Sequence, residues 1–93
     1  FEGFLPLKKG RVTRLLSLSD EVRTLVFYES PHRIIKTLTQ FLEYFGDKRR
    51  ISISREISKF YEETQRGTIL DLISQFKIKK PKGEFVIVVE GKK

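Results

Sequence analysis

Five consecutive residues, Glu29-Ser30-Pro31-His32-Arg33, bring together a carboxylate, a hydroxyl, an imidazole and a guanidinium. They follow an apolar run, so the Glu29 carboxylate is expected at the rim of a sheet. There it could accept a hydrogen bond from a ligand amine or hydroxyl. It could equally serve Arg33 or the free N–H groups of a helix start. His32, the single histidine, could donate or accept a hydrogen bond there, or simply be solvated. A second cluster, Arg55 to Glu63, alternates charge around a turn. It could clamp a phosphate between Arg55 and Lys59. It could also be a salt-bridged surface, each exposed pair contributing under ~1 kcal/mol. A third stretch, Arg66-Gly67-Thr68, enters a helix, where glycine permits close backbone approach and the helix N-terminus favours a polar or anionic group. No G-x-G-x-x-G and no Walker loop occurs. A histidine two positions after a serine lacks the geometry of a hydrolase triad.

The elements that must position these residues show in the periodicity. Phe4-Leu5-Pro6 reads as a short strand and Lys9 to Leu18 as a helix with Val12, Leu15 and Leu16 on one face. Thr24 to Tyr28 is a continuous β-prone run, which predicts a central strand buried on both faces. Ser30 reads as an N-cap and Pro31 as the first residue of a helix reaching Phe45. In that helix Ile34, Ile35, Leu38, Phe41, Leu42 and Phe45 share a face, and Gly46 is the stop. Arg50 to Arg55 alternates as a strand with one wet face. Phe60 to Arg66 reads as a polar edge strand, joined to the previous one as an antiparallel hairpin. Thr68 caps a third helix carrying Ile69, Leu72, Ile73 and Phe76. Phe85 to Val89 is a second apolar strand. The expected fold is α/β: a mixed five-stranded sheet with three helices, in the order β-α-β-α-β-β-α-β.

With 93 residues the chain makes one domain or part of one. It has no cysteine, so disulfides, thiolate metal sites and cysteine nucleophiles are excluded, and one histidine argues against a zinc site. No apolar run reaches the ~18 residues of a membrane span, and a cytoplasmic location is expected. The net charge of +7 favours a polyanion partner, nucleic acid first, although scattered lysines also serve solubility. The chain has no methionine and opens on Phe1-Glu2-Gly3. It therefore reads as a fragment whose N-terminal neighbour is missing.

Four motifs occur in order: GFLPLKKGR, TLVFYESPHRI, SISREISKFYEETQRGTILDL and KGEFVIVVEG. Together they resemble the C-terminal half of the tetrapyrrole (corrin/porphyrin) methylase superfamily, nearest its branch acting on small-subunit ribosomal RNA. The resemblance covers nearly all of residues 1–93. It implies the C-terminal domain of a two-domain, usually homodimeric methyltransferase, inactive alone, with S-adenosylmethionine (SAM) held between the domains. Phe27, Tyr28, Glu29, Gly67 and Thr68 match the family's cofactor-contacting positions. Glu56-Ile57-Ser58-Lys59 stands where the family has ELTK. Ser30, His32, Arg33, Arg55 and Lys59 become substrate-side candidates, and Glu29, Glu56 and Lys59 candidates for assisting proton loss, with no metal implied. The implied substrate is small-subunit rRNA or the assembled small ribosomal subunit, at a cytidine 2′-hydroxyl. A tetrapyrrole substrate and a non-catalytic RNA-binding module are the alternatives.

Overall fold

The structure is a computed structural model that describes residues 1–58, 61–78 and 83–93, with side chains left undescribed at 56–58, 61 and 62. Its elements are α1 (Arg11–Leu18), β1 (Leu25–Glu29), α2 (Ile34–Phe45), β2 (Arg50–Ser58), β3 (Tyr61–Thr68), α3 (Ile69–Ile78) and β4 (Glu84–Val89). The strands form one four-stranded sheet in the order β1-β4-β2-β3, and every neighbouring pair is antiparallel. β1 and β2 therefore point the same way with β4 lodged between them. β3 and β4 likewise flank β2. The two strand–helix–strand units expected from the periodicity are present, but each is split by a strand of the other.

The expected mixed five-stranded sheet is corrected to four antiparallel strands. Phe4-Leu5-Pro6 forms none. Gly3, at φ +65°, makes a single parallel bridge to Phe27. Glu2 N–H donates to Val26 O at 2.8 Å and Tyr28 N–H donates to Gly3 O at 2.9 Å. The chain then leaves the sheet: Leu5 turns into the core, and Pro6 has no N–H to offer a ladder. β1 is likewise a sheet edge, not a central strand, and its Tyr28 is exposed. Its apolar run is continuous because the Phe1–Phe4 segment lies against it.

Inward-facing residues of the strands, among them Phe27, Ile53, Phe85 and Ile87, meet Leu15 of α1, Leu38 and Phe41 of α2 and Leu72 and Phe76 of α3 in one core. The periodicity of α2 holds: Ile34, Leu38 and Phe41 are fully buried. Its start moves. Residues 31–33 are a turn closed by Arg33 N–H to Ser30 O at 3.1 Å, and Arg33, not Ser30, occupies the cap position. On α1 the buried face is Arg11, Leu15 and Leu18, while Val12 and Leu16 are exposed. At the other end of the chain Lys92 donates to Asp20 at 2.6 Å and holds its carboxyl below the usual range. That lowered pKa means the tie is present at neutral pH and is lost as pH falls through it.

Gly46 ends α2 at φ 92°, ψ 160°, a conformation open essentially only to glycine. Gly46→Ala is expected to cost about 1–2 kcal/mol. Thermal unfolding checks it: the loss should lower Tm by roughly 5–15 °C, and an unchanged Tm would remove glycine's role here.

Candidate functional site

Glu29 ends β1 facing inward and is 3% exposed. Its Oε1 accepts from Ser30 N–H at 2.8 Å and Arg33 Nε at 3.2 Å, and its Oε2 accepts from Thr37 Oγ1 at 2.6 Å. Thr37 Oγ1 in turn accepts from the Arg11 guanidinium at 2.8 Å. Arg11 also donates to Gln40 Oε1 and to the Pro6 carbonyl. One buried network thus ties the N-terminal segment, α1, α2 and the end of β1. The carboxylate is committed to structure, as the alternative of an Arg33 and N–H partner anticipated. Arg11 and Thr37 escaped the sequence reading. The signal was the i, i+4, i+7 spacing of Arg11, Leu15 and Leu18.

Around this end of the sheet the other rim candidates are arranged unequally. His32 is exposed, and the Arg33 side chain is 40% exposed beside Glu29. Ser30 Oγ is buried with no hydrogen-bond partner among the described residues. Arg55 stands level with Glu29, two strands away through Phe85, but faces the helix-covered side. It pairs with Glu63 at 2.7 Å across the hairpin, a contact of the salt-bridged alternative. Glu56 lies in β2 opposite Glu62, beyond Arg55. Lys59 and Phe60 lie outside the described residues.

Tyr28 and Phe27 face opposite ways. Phe27 is 1% exposed and packs on Phe41 at 4.9 Å. Tyr28 lies on the sheet face that no described helix covers. The rings of Phe1 and Phe4 meet it edge-on at 5.1 and 5.6 Å. Gly67 and Thr68 are elsewhere. Gly67 aligns with Ile51, Val89 and Leu25 across the sheet, at the far edge and the far end from Glu29. Sheet spacings put Tyr28 and Gly67 roughly 17 Å apart. Thr68 N–H donates to Asp71 Oδ2 and Asp71 N–H donates to Thr68 Oγ1, both at 3.2 Å, which is the reciprocal cap expected of Thr68. A Cβ on Gly67 would stand 3.3 Å from Asp71 Oδ2, so the glycine makes room for that cap. The structure therefore gathers the Ser30–Arg33 turn and the hairpin at one end of the sheet, and leaves Gly67-Thr68 at the other.

Among the described residues no group of three or more acidic or histidine side chains is placed to hold a metal, and no helix is long and apolar enough to cross a membrane. No family model matches the chain. Curated relatives do. Ribosomal RNA small subunit methyltransferase I of Thermotoga maritima is 48% identical over 92 residues, covering 99% of this chain and 41% of that protein. The proteins of the same name from Synechocystis and Bacillus subtilis are 42% and 44% identical over 92 residues, each covering 98% of this chain and 33% and 31% of theirs. The chain thus spans between about a third and two fifths of the relatives' length. Nearly end to end, it is homologous to a portion of the ribosomal RNA small subunit methyltransferase I proteins, as its four motifs led us to expect.

Proposed function

We propose that the chain is the C-terminal domain of a two-domain, SAM-dependent methyltransferase that modifies small-subunit rRNA, alone or in the assembled subunit, at a cytidine 2′-hydroxyl. The observation that supports this is identity of 40–48% over 98–99% of the chain to proteins named ribosomal RNA small subunit methyltransferase I. The whole protein would act as a cytoplasmic homodimer of the tetrapyrrole methylase superfamily, and this domain by itself would not catalyse.

When bound, SAM supplies a methyl group on a sulfonium that is a good leaving group. Tyr28 fits such a ligand, since its half-exposed ring, held by Phe1 and Phe4, offers a face to an adenine or a cation. Phe27 and Glu29, anchored in the core on either side, fix where that ring stands. Gly67 and Thr68 would touch the same molecule only if it lay extended across the open face, because the α3 cap already uses them. On the substrate side, His32 and the exposed part of Arg33 present polar groups at one rim, where they would orient a ribose for in-line attack, with Ser30 Oγ buried behind them. Glu29 is held by three hydrogen bonds and is poorly placed to act as the base. Glu56 and Lys59 are the other candidates for assisting loss of the hydroxyl proton.

The test is methyl-labelled SAM with the whole protein, offered naked rRNA, small subunits and a corrinoid precursor in parallel. Label in rRNA or subunits, mapped to a ribose, is the expected result. Label in the corrinoid alone would replace this reading with the tetrapyrrole one. Tyr28→Ala should raise the Kd for SAM roughly tenfold, the loss of one stacked or cation–π contact of about 1–2 kcal/mol. An unchanged Kd would move the cofactor wall elsewhere.

A further inference from the structure

All three helices pack on one face of the sheet, and the other face is open among the described residues. Register fixes what that face presents. Ser52 of β2 stands directly opposite Arg66 of β3, and Arg50, two residues before Ser52, stands opposite Thr68. Arg50 and Arg66 are thus diagonal neighbours on one surface, a spacing of ~7–8 Å. They line a cleft of about 250 Å³ together with Thr24, Ser52, Val88 and Glu90.

The other arginines of the chain are engaged. Arg14, Arg23, Arg33 and Arg55 each form an ion pair with a glutamate. Arg11 is hydrogen-bonded in the core, and Arg49 donates to the Ser19 and Glu90 carbonyls. Arg50 and Arg66 alone among the arginines have side chains with no hydrogen-bond or ion-pair partner among the described residues, and both are exposed. The one carboxylate in their cleft, Glu90, is paired with Lys93 at 2.9 Å. An adjoining cleft at the same end of the sheet adds Lys48, while its Lys92 and Lys93 are ion-paired with Asp20 and Glu90. Two unneutralised guanidiniums, two hydroxyls and the nearby Lys48 recognise one chemistry, a phosphodiester. Arginine offers it a planar fork of donors, and Ser52 and Thr24 add hydroxyl donors.

We infer that the open sheet face carries an RNA-backbone site in which Arg50 and Arg66 hold adjacent phosphates of a single strand. The inference rests on the rRNA reading above and locates a contact surface distinct from the Ser30–Arg33 rim. Antiparallel sheets with one bare face take single-stranded RNA in this way, with cations tracking the backbone.

The experiment measures binding of a single-stranded small-subunit rRNA fragment to the whole protein over a salt series. The variants are Arg50→Gln, Arg66→Gln and the pair, with Lys36→Gln on the helix side as a charge-matched control. Each arginine change should weaken binding several-fold and flatten the log K against log salt slope by ~0.7, with Tm unchanged. The pair should lose both increments, and K36Q should leave affinity near that of the parent. A DNA strand of the same sequence should bind less tightly if the hydroxyls read the 2′-OH. Equal losses for K36Q and the arginine variants would reduce the effect to net charge and overturn the site, as would undiminished binding by the pair. If those variants bind normally while methyl transfer to rRNA persists, this site fails and the functional reading stands. If the unaltered protein shows no salt-dependent RNA binding, this site fails, and the functional reading fails with it only if neither rRNA nor small subunits take up label.

Discussion

Glu29→Ala is expected to destabilise the fold by about 3–5 kcal/mol, because removing one partner of a buried charged network leaves the others desolvated and unpaired. Three donors lose their acceptor at once: the Ser30 N–H, Arg33 Nε and Thr37 Oγ1. Arg11, 5% exposed, would then keep its charge in the core with neutral partners only. Domains of this size have about 5–15 kcal/mol of total stability, so the variant stands near the threshold of folding. Urea unfolding measures the loss. Glu29→Gln keeps the shape and one carbonyl acceptor, and should cost roughly half as much. Arg11→Met in the Glu29→Ala background should recover part of the loss, since the orphaned cation is gone. A loss below about 1 kcal/mol for Glu29→Ala would mean the network is no stronger than a surface pair. Glu29 would then be free for chemistry after all.

Gly91→Ala is the second large effect. A Cβ at residue 91 would stand 1.9 Å from the Val22 carbonyl oxygen and 2.4 Å from its carbon. Both are backbone atoms, so no side chain can swing away. The neighbouring Lys92 N–H donates to Glu21 O at 2.8 Å and pins the two segments together. Relieving the contact means parting the C-terminal segment from the loop before β1. The expected cost is about 3 kcal/mol, the upper end for overpacking, equivalent to a Tm fall of roughly 12–24 °C. Gly10→Ala is a control, since nothing lies within 4 Å of a Cβ there, although its φ of +84° adds ordinary strain. Equal losses at the two glycines would show that clash is not what residue 91 avoids.

How legible this was depended on whether a signal was local. The spacing of Ile34, Leu38, Phe41 and Phe45, the stop at Gly46, the β2–β3 hairpin and the Thr68 cap depend on near neighbours, and all were readable. The position of Thr24–Tyr28 in the sheet was not, because an apolar run is the same whether shielded by a strand or by Phe1 and Phe4. Pro31 pointed to a helix start, but the Glu29 carboxylate captured the Ser30 N–H and the helix began at Ile34. At the site, the types at Glu29 and Arg33 were plain. Their commitment to each other depended on Thr37 and Arg11, distant in sequence. The bare arginines 50 and 66 became visible only when the β2–β3 register put them on one surface.

The order β1-β4-β2-β3 also bears on how the chain is made. β4 holds β1 and β2 together, yet it follows every other described element in chain order. Until Glu84–Val89 leave the ribosome, only the β2–β3 hairpin can form, and β1 waits with its inner edge unpaired. The nascent domain therefore cannot build its core step by step. It must close in a single late event, dominated by contacts far apart in sequence, which slows folding and lengthens exposure of the β1 edge. Deleting residues 84–93 would therefore leave the β2–β3 hairpin and a lone β1 with nothing joining them.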